Sequence, residues 1–210
     1  MSGSVAAGGC ASDGELPDGT ERVDAALKHG LRSALLVPVA EVEPVVGEHR
    51  RRLDRSAIAG VPAHVTVLYP FLPPAGITPE VVSSVADTVT MTAAFDCTFS
   101  RVRWFGDHLV WLQPEPDEPF RALTHAVQDA FGGLAPYGGA HGDPDPHLTV
   151  AGAHLAGPAE LRQAAAEIEP MLPVPARIDR VWLMVGADVP GSWRTRAEFR
   201  LPAGGSEQAG

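Results

Sequence analysis

The sequence predicts an α+β fold built from two similar lobes, and three observations support this prediction. Short apolar runs typical of strands alternate with segments whose apolar residues recur at helical spacing. Residues 35–69 and 110–150 repeat one order of elements: an apolar strand, a helix that opens with acids and proline, a loop, and a strand that begins His-X-Thr. Because 45% of the 210 residues are hydrophobic, the chain can bury a substantial core.

The first repeat begins with an apolar run at residues 33–39, which is typical of a strand. The helix that follows has Pro44 in its first turn, where proline is tolerated. The polar side of this helix carries four arginines, which we expect to form a solvated face: Arg50, Arg51, Arg52 and Arg55. The first His-X-Thr strand then spans residues 64–69.

Between the repeats, Thr78 caps a helix that begins with Pro79. Residues 95–105 alternate in polarity and turn at Gly106-Asp107 into the apolar run 108–112, which predicts a β-hairpin.

The second repeat continues with a helix that ends at Gly132-Gly133. A glycine- and proline-rich loop, residues 134–146, leads to the second His-X-Thr strand. After a helix that begins at Gly157-Pro158, two strand runs at 176–185 and 193–201 complete the pattern. We therefore expect a single bilobal domain over residues 33–201. Residues 1–22 and 203–210 contain few large apolar groups and are expected to be disordered tails.

Charge and composition limit the classes of function. The formal net charge of −10 argues against long nucleic acid as a partner, whereas a small nucleotide held locally remains compatible. Two cysteines provide neither a disulfide framework nor metal-ligand spacing. No run is long enough to be a membrane helix, and no signal peptide is apparent at the N-terminus. We expect a cytoplasmic monomer without a membrane partner.

The two His-X-Thr motifs are the strongest functional signal in the chain. His64 and Thr66 form the first motif, and His147 and Thr149 form the second, 83 positions later. Strand side chains alternate between faces, so the histidine and threonine of each motif point the same way. If the two strands lie together, two imidazoles and two hydroxyls surround one small pocket that suits a phosphate.

This pair of motifs resembles the two-histidine phosphoesterases, also called the LigT-like or 2′-5′ RNA ligase family. The resemblance implies antiparallel or mixed sheets lining a central cleft, with helices outside. It also implies a metal-independent phosphodiesterase or 2′-5′ RNA ligase that uses His64, Thr66, His147 and Thr149 on a cyclic or 2′-5′ phosphodiester. One histidine would act as acid and the other as base, while the hydroxyls bind the non-bridging oxygens. The sequence does not assign the two roles, and it predicts no cofactor.

Four further residues are candidates for substrate binding. Tyr69, Tyr137 and Trp193 offer surfaces on which a nucleobase can stack, and His141 lies in the loop before the second motif. Strict alternation places Tyr69 on the face opposite His64 unless the chain twists at Pro70. The expected ligand is a small nucleotide or a short RNA end. His29, His108 and His154 have no matching pattern and are interpreted as structural.

Two alternative functions remain open. The segment from His141 to His147 contains Asp143 and Asp145 and resembles a set of metal ligands, although the prolines within it break any regular spacing. The second alternative is a nucleotide sensor of the same fold that performs no catalysis. The presence of both histidines and both threonines favours a catalytic function over a sensor.

Overall fold

Two antiparallel sheets of four strands each form the framework of the molecule. A computed structural model describes residues 30–134 and 145–204. The strands are β1 (Arg32–Pro38), β2 (His64–Leu68), β3 (Phe95–Phe105), β4 (Leu109–Glu115), β5 (Leu148–Gly152), β6 (Val174–Ile178), β7 (Arg180–Gly186) and β8 (Arg194–Arg200). The helices are α1 (Glu43–Leu53), α2 (Arg55–Ile58), α3 (Pro79–Val89), α4 (Glu118–Ala130) and α5 (Pro158–Ile168). Short 3-10 turns occupy Ala40–Val42, Pro74–Gly76 and Glu169–Met171.

The strand orders of the two sheets confirm the predicted pseudo-symmetry. The first sheet runs β2-β1-β7-β8 and the second runs β5-β4-β3-β6, with every neighbouring pair antiparallel. In each sheet the His-X-Thr strand lies at an edge, beside the strand that opens its repeat. The two edge strands, β2 and β5, contact each other. The α+β class and the two-lobed architecture are therefore as predicted.

The helices join the two lobes reciprocally. Helix α1 belongs to the first repeat but packs against β5, whereas α4 belongs to the second repeat and packs against β2. One continuous apolar core runs through both sheets, and it includes Leu35, Val65, Leu123 and Leu148, each at most 1% exposed. Neither motif strand is therefore stabilised by its own repeat alone.

Most predicted elements are present, with one correction among the strands. Thr78 caps α3 as expected, since its hydroxyl accepts a hydrogen bond from the Val81 amide. The predicted single run at 176–185 is instead two strands, because the chain leaves the second sheet after β6 and enters the first sheet as β7. Asp179 lies at the crossing, where its carbonyl accepts from the Leu201 amide and its carboxylate binds Arg180.

Several sequence predictions concern residues that the structure does not describe, including the tail at 1–22 and the end of the chain from 205. Within the described ranges, no helix combines the length and apolar character needed to cross a bilayer.

The packing of α4 on β2 predicts a large cost for truncating Leu123, which is fully buried. Leu123→Ala should lower the free energy of unfolding by about 2–5 kcal/mol, because it removes apolar contacts and leaves a cavity. Leu155, 39% exposed, provides the matched control, and Leu155→Ala should change stability by no more than about 0.5 kcal/mol. Urea unfolding of both variants tests this, and similar losses would contradict the packing described.

Candidate active site

The two edge strands meet at a pocket of about 450 Å³. His64 and Thr66 from β2 line this cavity together with Thr149 from β5 and His147, which immediately precedes that strand. The structure thus brings together the four residues that the duplicated motifs single out. Among the described residues, neither threonine hydroxyl is engaged in a hydrogen bond, so both remain available to a ligand in the pocket.

Each motif strand contains a β-bulge immediately after its threonine. In β2 the register with β1 skips Val67, and in β5 the register with β4 skips Val150. A bulge adds one residue to its strand and shifts the alternation of the side chains beyond it. Val67 and the next residue, Leu68, are consequently both buried. Residue 69 therefore returns to the pocket face, and Tyr69 lines the cavity beside Thr66.

The two catalytic candidates share one hydrogen-bond geometry. His64 Nδ1 lies 2.7 Å from the carbonyl oxygen of Pro62, and His147 Nδ1 lies 2.7 Å from that of Asp145. A carbonyl oxygen can only accept, so Nδ1 of each ring carries the hydrogen. In the neutral form, the basic lone pair of each ring is therefore on Nε2. Main-chain groups thus fix the same tautomer in both motifs.

The surroundings of His64 favour its neutral form. Burial lowers the pKa of His64 to about 4, and the positive charge of Arg50 acts in the same direction. The hydrogen bond to Pro62 and the charge of Asp54 oppose this shift only in part. His64 can therefore accept a proton throughout the ordinary pH range.

The burial of Arg50 contradicts the expectation that the arginine-bearing side of α1 is solvated. Only 1% of Arg50 is exposed, whereas Arg51, Arg52 and Arg55 are exposed as expected. The Arg50 Nε and Nη2 atoms donate to Asp54 Oδ2 at 3.1 and 2.8 Å. The Asp54 carboxylate and two main-chain carbonyls compensate the cost of burying this guanidinium.

The other contacts of Arg50 connect the two motif strands. Its Nε also donates to the carbonyl of Thr149 at 3.1 Å, and Nη2 reaches the carbonyl of Val61 at 3.5 Å. Glu43 lies 3.7 Å from Nη1 and accepts from the amide of Ala63, the residue before His64. A single buried cation therefore holds the second motif against the chain that enters the first.

His147 is oriented by aromatic rings as well as by its hydrogen bond. Phe105 and Trp111 stack at a centroid distance of 4.7 Å. Both rings meet the His147 imidazole edge to face, at 5.1 and 5.9 Å. These contacts restrict rotation of the imidazole.

Two of the four predicted substrate-binding residues lie at the pocket. Tyr69 and Trp193 line it with ring centroids 6.2 Å apart, and the Tyr69 hydroxyl accepts a hydrogen bond of 2.9 Å from Arg32. Trp193 is only 7% exposed, so it packs against Tyr69 rather than offering a free face. Tyr137 and His141 lie outside the described residues.

The pocket wall also contains four charged or titratable residues that sequence reasoning did not assign to the site: Asp54, Arg55, His154 and Asp188. His154, interpreted from the sequence as structural because it has no motif, lies in the pocket wall. The residues described here contain no group of three or more His, Cys, Asp or Glu side chains arranged to bind a metal. Most of the segment that prompted the metal interpretation, residues 141–144, is not described.

Comparison with known proteins assigns the chain to a family. The family model described as the 2′-5′ RNA ligase superfamily matches residues 37–190, which include both motifs. The chain belongs to the 2′-5′ RNA ligase superfamily. This confirms the resemblance to two-histidine phosphoesterases and identifies the chain as a 2′-5′ RNA ligase-like phosphoesterase. No curated protein matches the sequence.

Solved structures share the fold at low sequence identity. The protein TT0787 of Thermus thermophilus aligns with a TM-score of 0.56 at 16% identity, covering 82% of this chain and 98% of that one. Escherichia coli LigT complexed with NADP⁺ aligns with a TM-score of 0.51 at 14% identity, covering 83% and 99%. At these identities the alignments support the superfamily fold, and the residue roles must be argued from this chain.

The Arg50 contacts predict that lysine cannot replace this arginine. Arg50→Lys keeps the charge but loses the planar set of donors, so buried acceptors such as the Thr149 carbonyl lose their partner. We expect unfolding to become easier by about 1–3 kcal/mol. Arg52→Lys, on the exposed side of the same helix, should stay within about 0.5 kcal/mol. Equal effects in thermal or urea unfolding would show that the Arg50 network does not stabilise the fold.

Proposed function

We propose that this pocket hydrolyses a cyclic or 2′-5′ phosphodiester without a metal ion, using the two His-X-Thr motifs for general acid–base catalysis. The matched geometry of His64 and His147 carries the proposal. Each Nδ1 is held by a main-chain carbonyl at 2.7 Å, and both imidazoles line one cavity. Two imidazoles on adjoining strands supply the acid and the base that opening a cyclic phosphate requires.

The ionisation of His64 supports its assignment as the base in hydrolysis. Since its pKa is lowered to about 4, the ring is neutral when substrate arrives. His64 Nε2 would take a proton from water as the water oxygen bonds to phosphorus. The bond from phosphorus to one ribose oxygen then breaks, and protonated His147 donates its Nε2 proton to that oxygen. Solvent resets both rings, and the roles exchange in the reverse reaction.

The threonines complete the proposed site. During the in-line displacement, negative charge is spread over the equatorial, non-bridging oxygens of the phosphate. The Thr66 and Thr149 hydroxyls have no other partner among the described residues and can donate to those oxygens.

The remaining walls of the pocket fit a nucleotide. Tyr69, backed by Trp193, offers a ring for a nucleobase beside an apolar floor of Ala34, Leu36 and Val61. Stacking of this kind contributes roughly 1–3 kcal/mol per base. Small cyclic nucleotides and short RNA ends are thus the proposed substrates. The nucleotide bound in the LigT structure, NADP⁺, is compatible with this substrate class.

Turnover of the four nucleoside 2′,3′-cyclic monophosphates in EDTA tests the proposal. We expect the parent protein to remain active in the chelator, because neither proton transfer requires a metal. His64→Ala and His147→Ala should each lower kcat/KM by at least about 100-fold, since each removes one proton-transfer group. His108→Ala is the matched control, because its side chain is 65% exposed and lies outside the pocket.

The alternative functions give different results in the same assay. Loss of turnover on chelation alone would indicate a metal-dependent hydrolase. Nucleotide binding that survives both alanine substitutions, with no turnover by the parent protein, would indicate a sensor. The isomer of the product identifies which ribose oxygen leaves.

A further inference from the structure

The pseudo-symmetry of the two motif strands is broken at one informative position. Tyr69 lies five residues after His64, beyond the bulge, and its side chain lines the pocket. The residue five after His147, also beyond a bulge, is Gly152. The second motif therefore has no side chain of its own where the first has an aromatic ring.

The ring of His154 occupies the space beside Gly152. A Cβ atom built on Gly152 would lie 2.7 Å from His154 Nδ1 and closer still to Cε1, so any larger residue would displace the imidazole. His154 lines the same pocket as the two motif histidines. Because Gly152 has no side chain, the imidazole of His154 can lie in the pocket wall. Its position in the second lobe corresponds to that of Tyr69 in the first.

Arg55 lines the same pocket as His154 and supplies a positive charge to it. Both residues line the cavity, and burial and then the charge of Arg55 lower the pKa of His154. Among the described residues, Arg55 takes part in no ion pair, whereas the carboxylate of its neighbour Asp54 is occupied by Arg50. A cation and a hydrogen-bonding imidazole therefore line the same cavity, and the charge of Arg55 acts on His154.

Tyr69 directly follows β2 of the first sheet, and His154 lies in the turn that follows β5 of the second sheet. These two strands are the adjoining edges of the two sheets. The two His-X-Thr motifs are therefore flanked by an aromatic ring on the side of the first sheet and by His154 on the side of the second.

A nucleoside 2′,3′-cyclic phosphate has different groups on the two sides of its cyclic phosphate. In the ribose ring, the carbon that bears the base is bonded to the carbon that bears the 2′ oxygen. The carbon that bears the 5′ carbon is bonded to the carbon that bears the 3′ oxygen. We propose that Arg55 and His154 form a subsite for the 5′-phosphate of the substrate's terminal nucleotide. This inference rests on the proposed function, and it makes a 5′-phosphorylated nucleotide or an RNA end a better ligand than a cyclic nucleoside phosphate alone.

Binding of adenosine 3′,5′-bisphosphate and adenosine 3′-phosphate, compared by calorimetry, tests the subsite without requiring turnover. The parent protein should bind the bisphosphate about tenfold more tightly or better, because a charge-assisted contact is added. Arg55→Gln and His154→Gln should each reduce this preference while leaving the affinity for the 3′-phosphate largely unchanged. Gly152→Ala should reproduce His154→Gln, because its methyl group displaces the imidazole.

Arg52→Gln is the matched control, since it removes an exposed arginine outside the pocket and should keep the preference. Equal affinities of the parent protein for the two nucleotides would overturn the subsite. So would an equal loss of affinity for both nucleotides in the Arg55 and His154 variants. If cyclic nucleotides are hydrolysed and the two affinities are equal, only the subsite fails. If neither nucleotide binds and no cyclic nucleotide is hydrolysed, both proposals fail.

Discussion

The buried guanidinium of Arg50 is the interaction on which the site depends most. It donates to the Thr149 carbonyl of one motif strand and, with Glu43, holds the chain that enters the other. Burying a cation is costly, and Asp54 at 2.8 Å provides the compensating charge. The positive charge of Arg50, together with burial, also favours neutral His64. One buried cation therefore contributes both to the assembly of the two lobes and to the ionisation of a histidine in the pocket.

Duplication explains both the resemblance between the two halves of the site and their difference. Each repeat contributes an edge strand, a bulge after the threonine, and a histidine anchored through Nδ1. Two similar imidazoles can perform opposite proton transfers only if their environments differ. Arg50 and burial act on His64, whereas stacked aromatic rings surround His147. Beyond the motifs, the first lobe contributes the aromatic ring of Tyr69 to the pocket wall, whereas the second contributes the imidazole of His154.

The sequence predicted the fold class, the repeat and the juxtaposition of the motifs, because all three follow from periodicity and from the symmetry of a duplication. It did not predict the burial of Arg50, since a helical pattern alone does not show that a carbonyl of β5 lies opposite this face. The bulges that turn Tyr69 toward the pocket depend on register with a neighbouring strand. His154 was missed because its position requires a glycine two residues earlier.

The most direct test of this coupling is the ionisation of His64, followed by ¹⁵N NMR of the imidazole as a function of pH in the ligand-free protein. If burial and Arg50 set its state, His64 stays neutral with the hydrogen on Nδ1 until the pH falls to about 4. Titration near the ordinary value of 6.5, or a hydrogen on Nε2 of the neutral ring, would contradict the assignment of His64 as a base prepared by the fold.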